Sequence, residues 1–356
     1  MGSHLARARQ YLASAGVDAL LLVKSENRRY VTGFAGSAGL ALVTAHDALL
    51  SVDFRYYEQA PAQAPECEVL RGGSDPAGAL AEAVAVREIR RVGFEAEFMP
   101  FAQVERVRAR FAPAELVPLP DVDRLRWVKD AAEIAALQCA AEIADAAFSH
   151  VLGVLRPGMR ERDAAVELEI FMRRAGAERV SFDTVLASGP RSALPHGRAT
   201  DRVMAPGDLV TLDFGAVYDG YGSDCTRTVV LGAPDSRQQQ IYEIVLEAQR
   251  RAMDAIRAGV SSVAVDAAGR SVIEAAGFGE AFGHAIGHGI GLDVHEGPPI
   301  GPRSETMLEA GMVVTIEPGI YLPGWGGVRI EDDVVVTEDG CRMLTHAPKE
   351  LISLPA

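Results

Sequence analysis

The sequence predicts a two-domain protein, a small α/β domain over residues 1–122 followed by a mixed α+β domain over residues 123–356. Three observations carry this expectation. The chain's 356 residues exceed the length of roughly 250–300 at which a single hydrophobic core stops growing. Up to about Pro120, short β-like runs alternate with Ala-rich helical stretches, and beyond it longer helical stretches alternate with pairs of Gly-bounded strands. Within the second region, Gly207-Asp208-Leu209-Val210-Thr211-Leu212-Asp213-Phe214-Gly215 is echoed by Gly311-Met312-Val313-Val314-Thr315-Ile316-Glu317-Pro318-Gly319 at a constant offset of 104 residues, which reads as a structural half-repeat.

The elements follow in order. Ala19 to Val23, Leu40 to Val43 and Ala48 to Val52 are apolar runs of strand length, and Pro76 to Arg91 is an Ala-rich helical stretch. The Pro-punctuated Val117-Pro118-Leu119-Pro120-Asp121 breaks the pattern and places the domain boundary near residue 122. Lys129 to Val151, Glu161 to Ala175 and Gln238 to Ala258 carry apolar residues at helical spacing. Strand pairs are expected around residues 207–232 and 311–337, the first turning within Asp219-Gly220-Tyr221-Gly222, where Asp-Gly supplies the positive φ of a tight hairpin.

Composition narrows the function classes. With 35 basic against 49 acidic residues the net charge is −14, which repels nucleic acid and anionic lipid, so neither is an expected partner. The longest apolar runs fall far short of the ~20 residues that span a bilayer. The N-terminus lacks the basic stretch and apolar block of a secretory signal, so a cytoplasmic location is expected. Cys67, Cys139, Cys225 and Cys341 are scattered with no Cys-x-x-Cys pair, which points to reduced thiols rather than a disulfide scaffold or thiolate zinc site. No Gly-x-Ser-x-Gly elbow occurs, and the glycines at 33, 36 and 39 do not form a dinucleotide fingerprint.

The chemistry concentrates in the two strand pairs. A hairpin closing near Asp219-Gly220 brings Asp213 and Asp224 roughly opposite each other, and Glu317 and Glu331 are equidistant from Gly324 in the second turn. Like charges facing each other across a strand pair are destabilising, so four such carboxylates call for a cation. Two metal ions ~3.5–4 Å apart, bridged by carboxylates and a water, would neutralise them and generate a hydrolytic nucleophile. Between the hairpins, the segment from Gly283 to Glu296 holds His284, His288 and His295, three of the eight histidines. Its glycines make a helix costly at ~1 kcal/mol each, so an extended segment is expected, with His284 and His288 on one face. Cys225, adjoining Asp224, alternates to the opposite face and is expected in the core.

These residues resemble the pita-bread metallopeptidases, the family of methionine aminopeptidase, Xaa-Pro aminopeptidase, prolidase and creatinase. Family ligands map onto Asp213 and Asp224, His288 in His288-Gly289-Ile290-Gly291, Glu317 in Glu317-Pro318-Gly319, and Glu331 in Arg329-Ile330-Glu331-Asp332. Asn27-Arg28-Arg29-Tyr30-Val31-Thr32-Gly33-Phe34 and Asp53-Phe54-Arg55-Tyr56 resemble the creatinase-type N-terminal domain, which methionine aminopeptidases lack. Leu194-Pro195-His196-Gly197 and Asp293-Val294-His295-Glu296-Gly297-Pro298 point to the proline-specific branch. The implied fold is an α/β creatinase-type domain plus an α+β pita-bread catalytic domain.

The resemblance implies two divalent ions, Mn²⁺ first with Co²⁺ or Zn²⁺ able to occupy the site, and a bridging hydroxide that attacks the Xaa-Pro carbonyl. It implies that Glu317 shuttles a proton to the prolyl nitrogen, that His196, His284 and His295 hold substrate and stabilise the oxyanion, and that Arg329 orients ligand carboxylates. Tyr321 resembles an active-site tyrosine of the family, with simple packing beside the turn as the alternative. The expected activity is that of an Xaa-Pro aminopeptidase acting on proline-containing peptides, with a dipeptide-restricted prolidase as the alternative and a non-catalytic binding module as a remote one. A homodimer is expected.

Overall fold

Apolar runs with no polar alternation form strands buried on both faces, and β1 (Ala19–Leu22), β2 (Leu40–Thr44) and β3 (Ala48–Val52) are buried at every position. In the computed structural model, which describes residues 2–355, the chain divides into two compact units, Met1–Arg126 and Trp127–Ala356. The first unit runs α1 (Gly2–Ala15), β1, α2 (Ser25–Thr32), β2, β3, α3 (Gln59–Gln63), β4 (Glu68–Arg71), α4 (Pro76–Val86), β5 (Arg91–Glu95), α5 (Phe101–Phe111) and β6 (Glu115–Leu119). Its strands make one mixed six-stranded sheet in the order β4-β3-β2-β1-β5-β6. Leu80, Val84, Val104, Val107 and Phe111 of α4 and α5 share a core with Leu21, Leu42, Leu49, Val92 and Phe94 of the sheet.

Two expectations shift here. The helix expected from Pro76 to Arg91 stops at Val86, since Glu88 takes a φ of +52° and Arg91 opens β5. The break between units falls after Arg126 rather than near 122, because the 3-10 turn Val122–Arg126 is tied into the first unit. Asp123 accepts from Lys24 Nζ at 2.5 Å and Asn27 Nδ2 at 2.7 Å, and Arg126 Nε donates to Asn27 Oδ1 at 2.7 Å.

The second unit contains α6 (Ala131–Leu152), α7 (Glu161–Arg174), β7 (Arg179–Val180), β8 (Val185–Ser188), β9 (Leu209–Phe214), β10 (Ala216–Tyr218), β11 (Tyr221–Gly222) and β12 (Cys225–Leu231). Its second half follows with α8 (Ser236–Ala255), α9 (Ser262–Ala275), β13 (Gly287–Gly289), β14 (Glu296–Ile300), β15 (Val313–Ile316), β16 (Gly319–Leu322), β17 (Gly326–Arg329), β18 (Asp332–Val336), β19 (Cys341–Met343) and β20 (Ser353–Leu354). The half-repeat extends beyond the strands. β9 starts 104 residues before β15 (209 to 313), α6 starts 105 before α8 (131 to 236), and α7 starts 101 before α9 (161 to 262). Even the helix starts match, with a capping box of Asp130 and Glu133 on α6 and of Asp235 and Gln238 on α8.

Each half buries its helix pair against its own strands. Phe148, Leu168 and Met172 of α6 and α7 pack with Leu212, Phe214, Cys225 and Val229, which puts Cys225 in the core as alternation predicts. Ile241, Val245, Val265 and Ile273 of α8 and α9 pack with Val314, Ile316, Ile320 and Val334. Across the seam between halves, buried Arg227 of β12 donates to Asp332 Oδ1 of β18 at 2.7 Å, while Lys349, Gln249 and Thr345 complete the carboxylate's shell. No helix among the described residues is long and apolar enough to cross a membrane.

Burial alone would raise the Asp332 pKa, but Arg227 and Lys349 outweigh it and hold the carboxyl below the ordinary range. A depressed acid stabilises the fold above its unfolded pKa and loses that contribution as pH falls through the folded value. Asp332→Asn, which strands the Arg227 guanidinium, is expected to lower unfolding free energy by about 3–5 kcal/mol at pH 7, measured by denaturant titration. A loss under about 1 kcal/mol would show that the pair does not tie the halves.

Candidate metal centre

In the first hairpin the two-residue loop is Asp219-Gly220, with φ of +45° and +75°. That register sets Thr226, not Asp224, opposite Asp213, and Cys225 opposite Phe214. Asp224 therefore stands two residues from Thr226 in the diagonal position, just ahead of β12. Direct opposition of the two aspartates is corrected to this diagonal relation. The second hairpin keeps the expected register: Ile316 faces Asp332 in β15/β18 and Gly319 faces Arg329 in β16/β17, so Glu317 and Glu331 face each other at the break between the two ladders. Glu331 N donates to Thr226 O at 3.1 Å, which brings the two hairpins together.

Within the histidine segment only the short strand β13, which holds His288, is extended; residues 291–295 bend, so the expected extended run is confined to that strand. His288 N donates to Thr315 Oγ1 at 3.1 Å, and the ring's Nε2 lies 3.6 Å from Asp224 Oδ2 and 3.5 Å from Glu317 Oε1. Ligand-type atoms of Asp224, His288 and Glu331 all fall within 4.8 Å of one another. The ring's Nδ1 donates to Gly289 O at 3.0 Å, which leaves the Nε2 lone pair facing the carboxylates. Burial, helped by nearby His295, lowers the His288 pKa to about 4, so the ring is neutral at pH 7.

The carboxylates resist carrying their own charge together. Burial, then repulsion from Glu331, Asp213, Asp333 and Glu317, pushes Asp224 well above its usual pKa. Glu331 is raised by burial and by Glu317 and Asp213, while burial and Asp213 lift Glu317 to about 8 against the opposing pull of Arg329. Asp213 Oδ1 and Asp224 Oδ1 are buried with no hydrogen-bond partner among the described residues. Orphaned carboxylate lone pairs, mutual repulsion and one neutral imidazole make a donor set that fits divalent cations of the oxygen-preferring kind.

Around this cluster stands a shell of donors. Arg329, buried, donates to Asp213 Oδ2 at 2.6 Å, Thr226 Oγ1 at 3.0 Å, Tyr321 Oη at 2.9 Å and Pro195 O at 3.0 Å. The Tyr321 hydroxyl in turn meets His284 Nε2 at 2.9 Å, and His284 Nδ1 lies 2.7 Å from Ala285 O. Both ring nitrogens of His284 are thus engaged, and burial lowers its pKa to about 4. Tyr321 is buried and hydrogen-bonded rather than merely packed. His196 and His295 are exposed, and the His295 ring centroid is 4.4 Å from that of His288.

Three neighbours were not singled out from the sequence. Thr226 Oγ1 donates to Glu331 Oε2 at 2.6 Å, Thr315 Oγ1 to Glu317 Oε1 at 3.4 Å, and Asp333 Oδ2 accepts from Asp224 N at 2.9 Å. A signal existed for the threonines: each lies two residues from an acid in sequence, the spacing that shares a face in extended chain.

Residues 4–128 match the Creatinase/Prolidase N-terminal domain, and residues 135–338 match Metallopeptidase family M24. The chain belongs to metallopeptidase family M24. Its two domains are accordingly a creatinase-type α/β domain and a pita-bread α+β domain. This M24 peptidase is similar to a solved Xaa-Pro dipeptidase from Bacillus anthracis, with 46% identity, a TM-score of 0.96 and 99% of each chain covered. It is also similar to a solved X-Pro aminopeptidase from Thermotoga maritima, at 41% identity and TM-score 0.89 over 95% of this chain and 98% of the other. An Xaa-Pro dipeptidase of Pyrococcus horikoshii is 39% identical over 346 residues, 96% of this chain and 97% of that protein.

A raised acid reverses the usual pH trend. Between the ordinary Glu value of 4.5 and about 8, folded metal-free protein keeps a proton on Glu317 that the unfolded chain has released, so stability falls as pH rises through that window. The Tm of chelator-stripped M24 peptidase is expected to fall from about pH 5 to pH 8, and the increment on adding Mn²⁺ to grow over the same range. A pH-independent Mn²⁺ increment would contradict displacement of carboxyl protons by the ion.

Proposed function

We propose that this M24 peptidase is a metal-dependent Xaa-Pro dipeptidase, with Asp213, Asp224, His288, Glu317 and Glu331 holding two divalent ions, Mn²⁺ in the first instance. The observation that carries it is the cluster of Asp224, His288 and Glu331, with Glu317 3.5 Å from His288, Asp213 close enough to repel the other acids, and buried carboxylate oxygens left unpartnered. Its likeness to the Xaa-Pro dipeptidases of B. anthracis and P. horikoshii supports the proline and dipeptide specificity, and moves the choice away from the aminopeptidase expected from the sequence. The Thermotoga X-Pro aminopeptidase supports aminopeptidase activity as the second reading. Five intact ligand positions argue against a non-catalytic binding module. A cytoplasmic homodimer is part of the same proposal.

When bound, divalent ions supply an activated water and polarise the scissile carbonyl. The chain does the rest. Arg329 holds Asp213 in its ligating orientation through the 2.6 Å contact, and Thr226 and Thr315 do the same for Glu331 and Glu317. Glu317 would take the proton released by the attacking water and hand it to the prolyl nitrogen as the bond breaks. His196 and His295, exposed and with no ring hydrogen bond among the described residues, are free to donate, and in this proposal they donate to substrate and to the developing oxyanion. His284 acts beside them through its bond with Tyr321.

The deciding assay compares an Xaa-Pro dipeptide, an Xaa-Pro-Xaa tripeptide and an Xaa-Ala control with Mn²⁺-loaded protein, against a chelated blank. Cleavage confined to the Xaa-Pro dipeptide is expected; tripeptide cleavage would install the aminopeptidase reading, and no cleavage would remove both. Asp224→Asn and Glu331→Gln are each expected to abolish turnover and lower bound metal, measured by elemental analysis. Wild-type turnover with unchanged metal in either variant would sink the ligand assignment. His196→Ala is expected to lower kcat by about 10²–10³-fold with metal content unchanged. Loss of metal there would make His196 a ligand instead.

A further inference from the structure

His196 rides on a strap, residues 189–200, that opens with the 3-10 turn Gly189–Ala193, turns at Pro195-His196 and touches β8 through a single antiparallel bridge between Arg198 and Val185. Both ends of the strap meet one side chain. Glu161, buried at the start of α7, accepts through Oε1 from Ser188 N and Ser188 Oγ, both at 2.8 Å, at the strap's entry. Through Oε2 it accepts from Thr200 N at 3.0 Å and Thr200 Oγ1 at 2.7 Å at the exit, and from Arg191 Nη1. Between these ends, Ser192 Oγ accepts from Gly327 N at 2.8 Å, and Pro195 O from Arg329 at 3.0 Å. The strap is therefore closed at its base by a carboxylate and pinned near its tip to the arginine that holds Asp213.

We propose that Glu161 is a positioning residue for the peptidase reaction, closing the strap so that His196 is held beside the Arg329–Asp213 pair. The inference rests on the substrate-binding role of His196 proposed above. The chemistry of the latch requires a carboxylate. Two backbone N–H groups, two hydroxyls and a guanidinium all donate to Glu161, and of these the N–H groups and the guanidinium cannot accept. A glutamine keeps one accepting oxygen for Ser188 but turns an NH₂ group toward Thr200 N and Arg191, so the exit end is released. The hydroxyl and amide donors outweigh burial and hold the Glu161 carboxyl below its ordinary pKa, so the latch is ionised at neutral pH.

The test is Glu161→Gln in the wild-type and His196→Ala backgrounds. In the wild-type background kcat/KM for an Xaa-Pro dipeptide is expected to fall about 10²-fold with metal content unchanged, the size that loss of precise placement produces. In the His196→Ala background the same change is expected to cost no further kcat/KM, although its effect on Tm persists. A purely structural role would instead give the full additive loss in both backgrounds, which would overturn the proposal, as would wild-type kcat/KM for Glu161→Gln alone. Two readouts stand apart from activity: trypsin cleavage after Arg191 or Arg198, and the ring resonances of His196 by NMR. Faster strap cleavage and shifted His196 signals support the latch even if no Xaa-Pro substrate is hydrolysed, which would then count against the activity alone. Unchanged cleavage and unchanged His196 signals overturn it. Should Glu161→Gln not fold, Thr200→Val, which removes one hydroxyl bond at the exit end, carries the same readouts with a smaller effect.

Discussion

Four carboxylates buried at one seam cannot all be ionised without a counter-charge, and the second domain is organised around that electrostatic constraint. Asp213 meets it partly through Arg329, whereas Asp224 and Glu331 are pushed toward the protonated form by burial and by neighbouring carboxylates. The unpaired oxygens face inward rather than to solvent, where hydration would relieve them. His288 contributes a neutral ring with its lone pair turned the same way, because Gly289 O accepts a hydrogen bond from the other nitrogen. The result is one cluster of oxygen donors and an imidazole, in which Thr226 donates to Glu331 and Arg329 to Asp213.

The strand periodicity explains how one short run of acids can serve three purposes. Glu331, Asp332 and Asp333 are consecutive, so their side chains alternate in direction. Glu331 faces the other ligands, and Asp332 faces Arg227 and Lys349, which keep it ionised. Asp333 accepts from the backbone of Asp224, the residue two before Thr226 on the neighbouring strand. The same segment therefore builds the centre, ties the halves of the domain together and fixes the geometry of a ligand from the opposite half. Neighbouring residues of identical type end with opposite pKa shifts because only one has a cation against it.

Duplication supplies the rest of the geometry. The two halves repeat helix, helix and hairpin at nearly constant spacing, so each delivers an acid at the same strand position, Asp213 in one and Glu317 in the other. They differ at the turns. A two-residue Asp219-Gly220 loop in the first hairpin and the longer Pro323-Gly324-Trp325 connection in the second give different registers, and so the second acid of each pair sits diagonally in one half and directly opposite in the other. That asymmetry leaves one side of the centre to be completed by His288 from the connecting strand.

The sequence by itself determined the two-domain order, the half-repeat, the non-helical character of the histidine segment and the spacing of the acids, because each is a local pattern of period, glycine content or exact spacing. The equidistance of Glu317 and Glu331 from Gly324 was enough to predict their opposition, since hairpin register is a property of the turn. Where the turn was ambiguous, at Asp219 to Gly222, the predicted partner of Asp213 was off by one same-face position. Tertiary structure alone decided that Tyr321 links Arg329 to His284, that Asp333 reaches Asp224 N, and that Glu161 meets both ends of the strap that carries His196. These contacts join residues as far as 109 positions apart, and a hydrogen bond leaves no periodic trace in the chain when its two partners are fixed by separate elements.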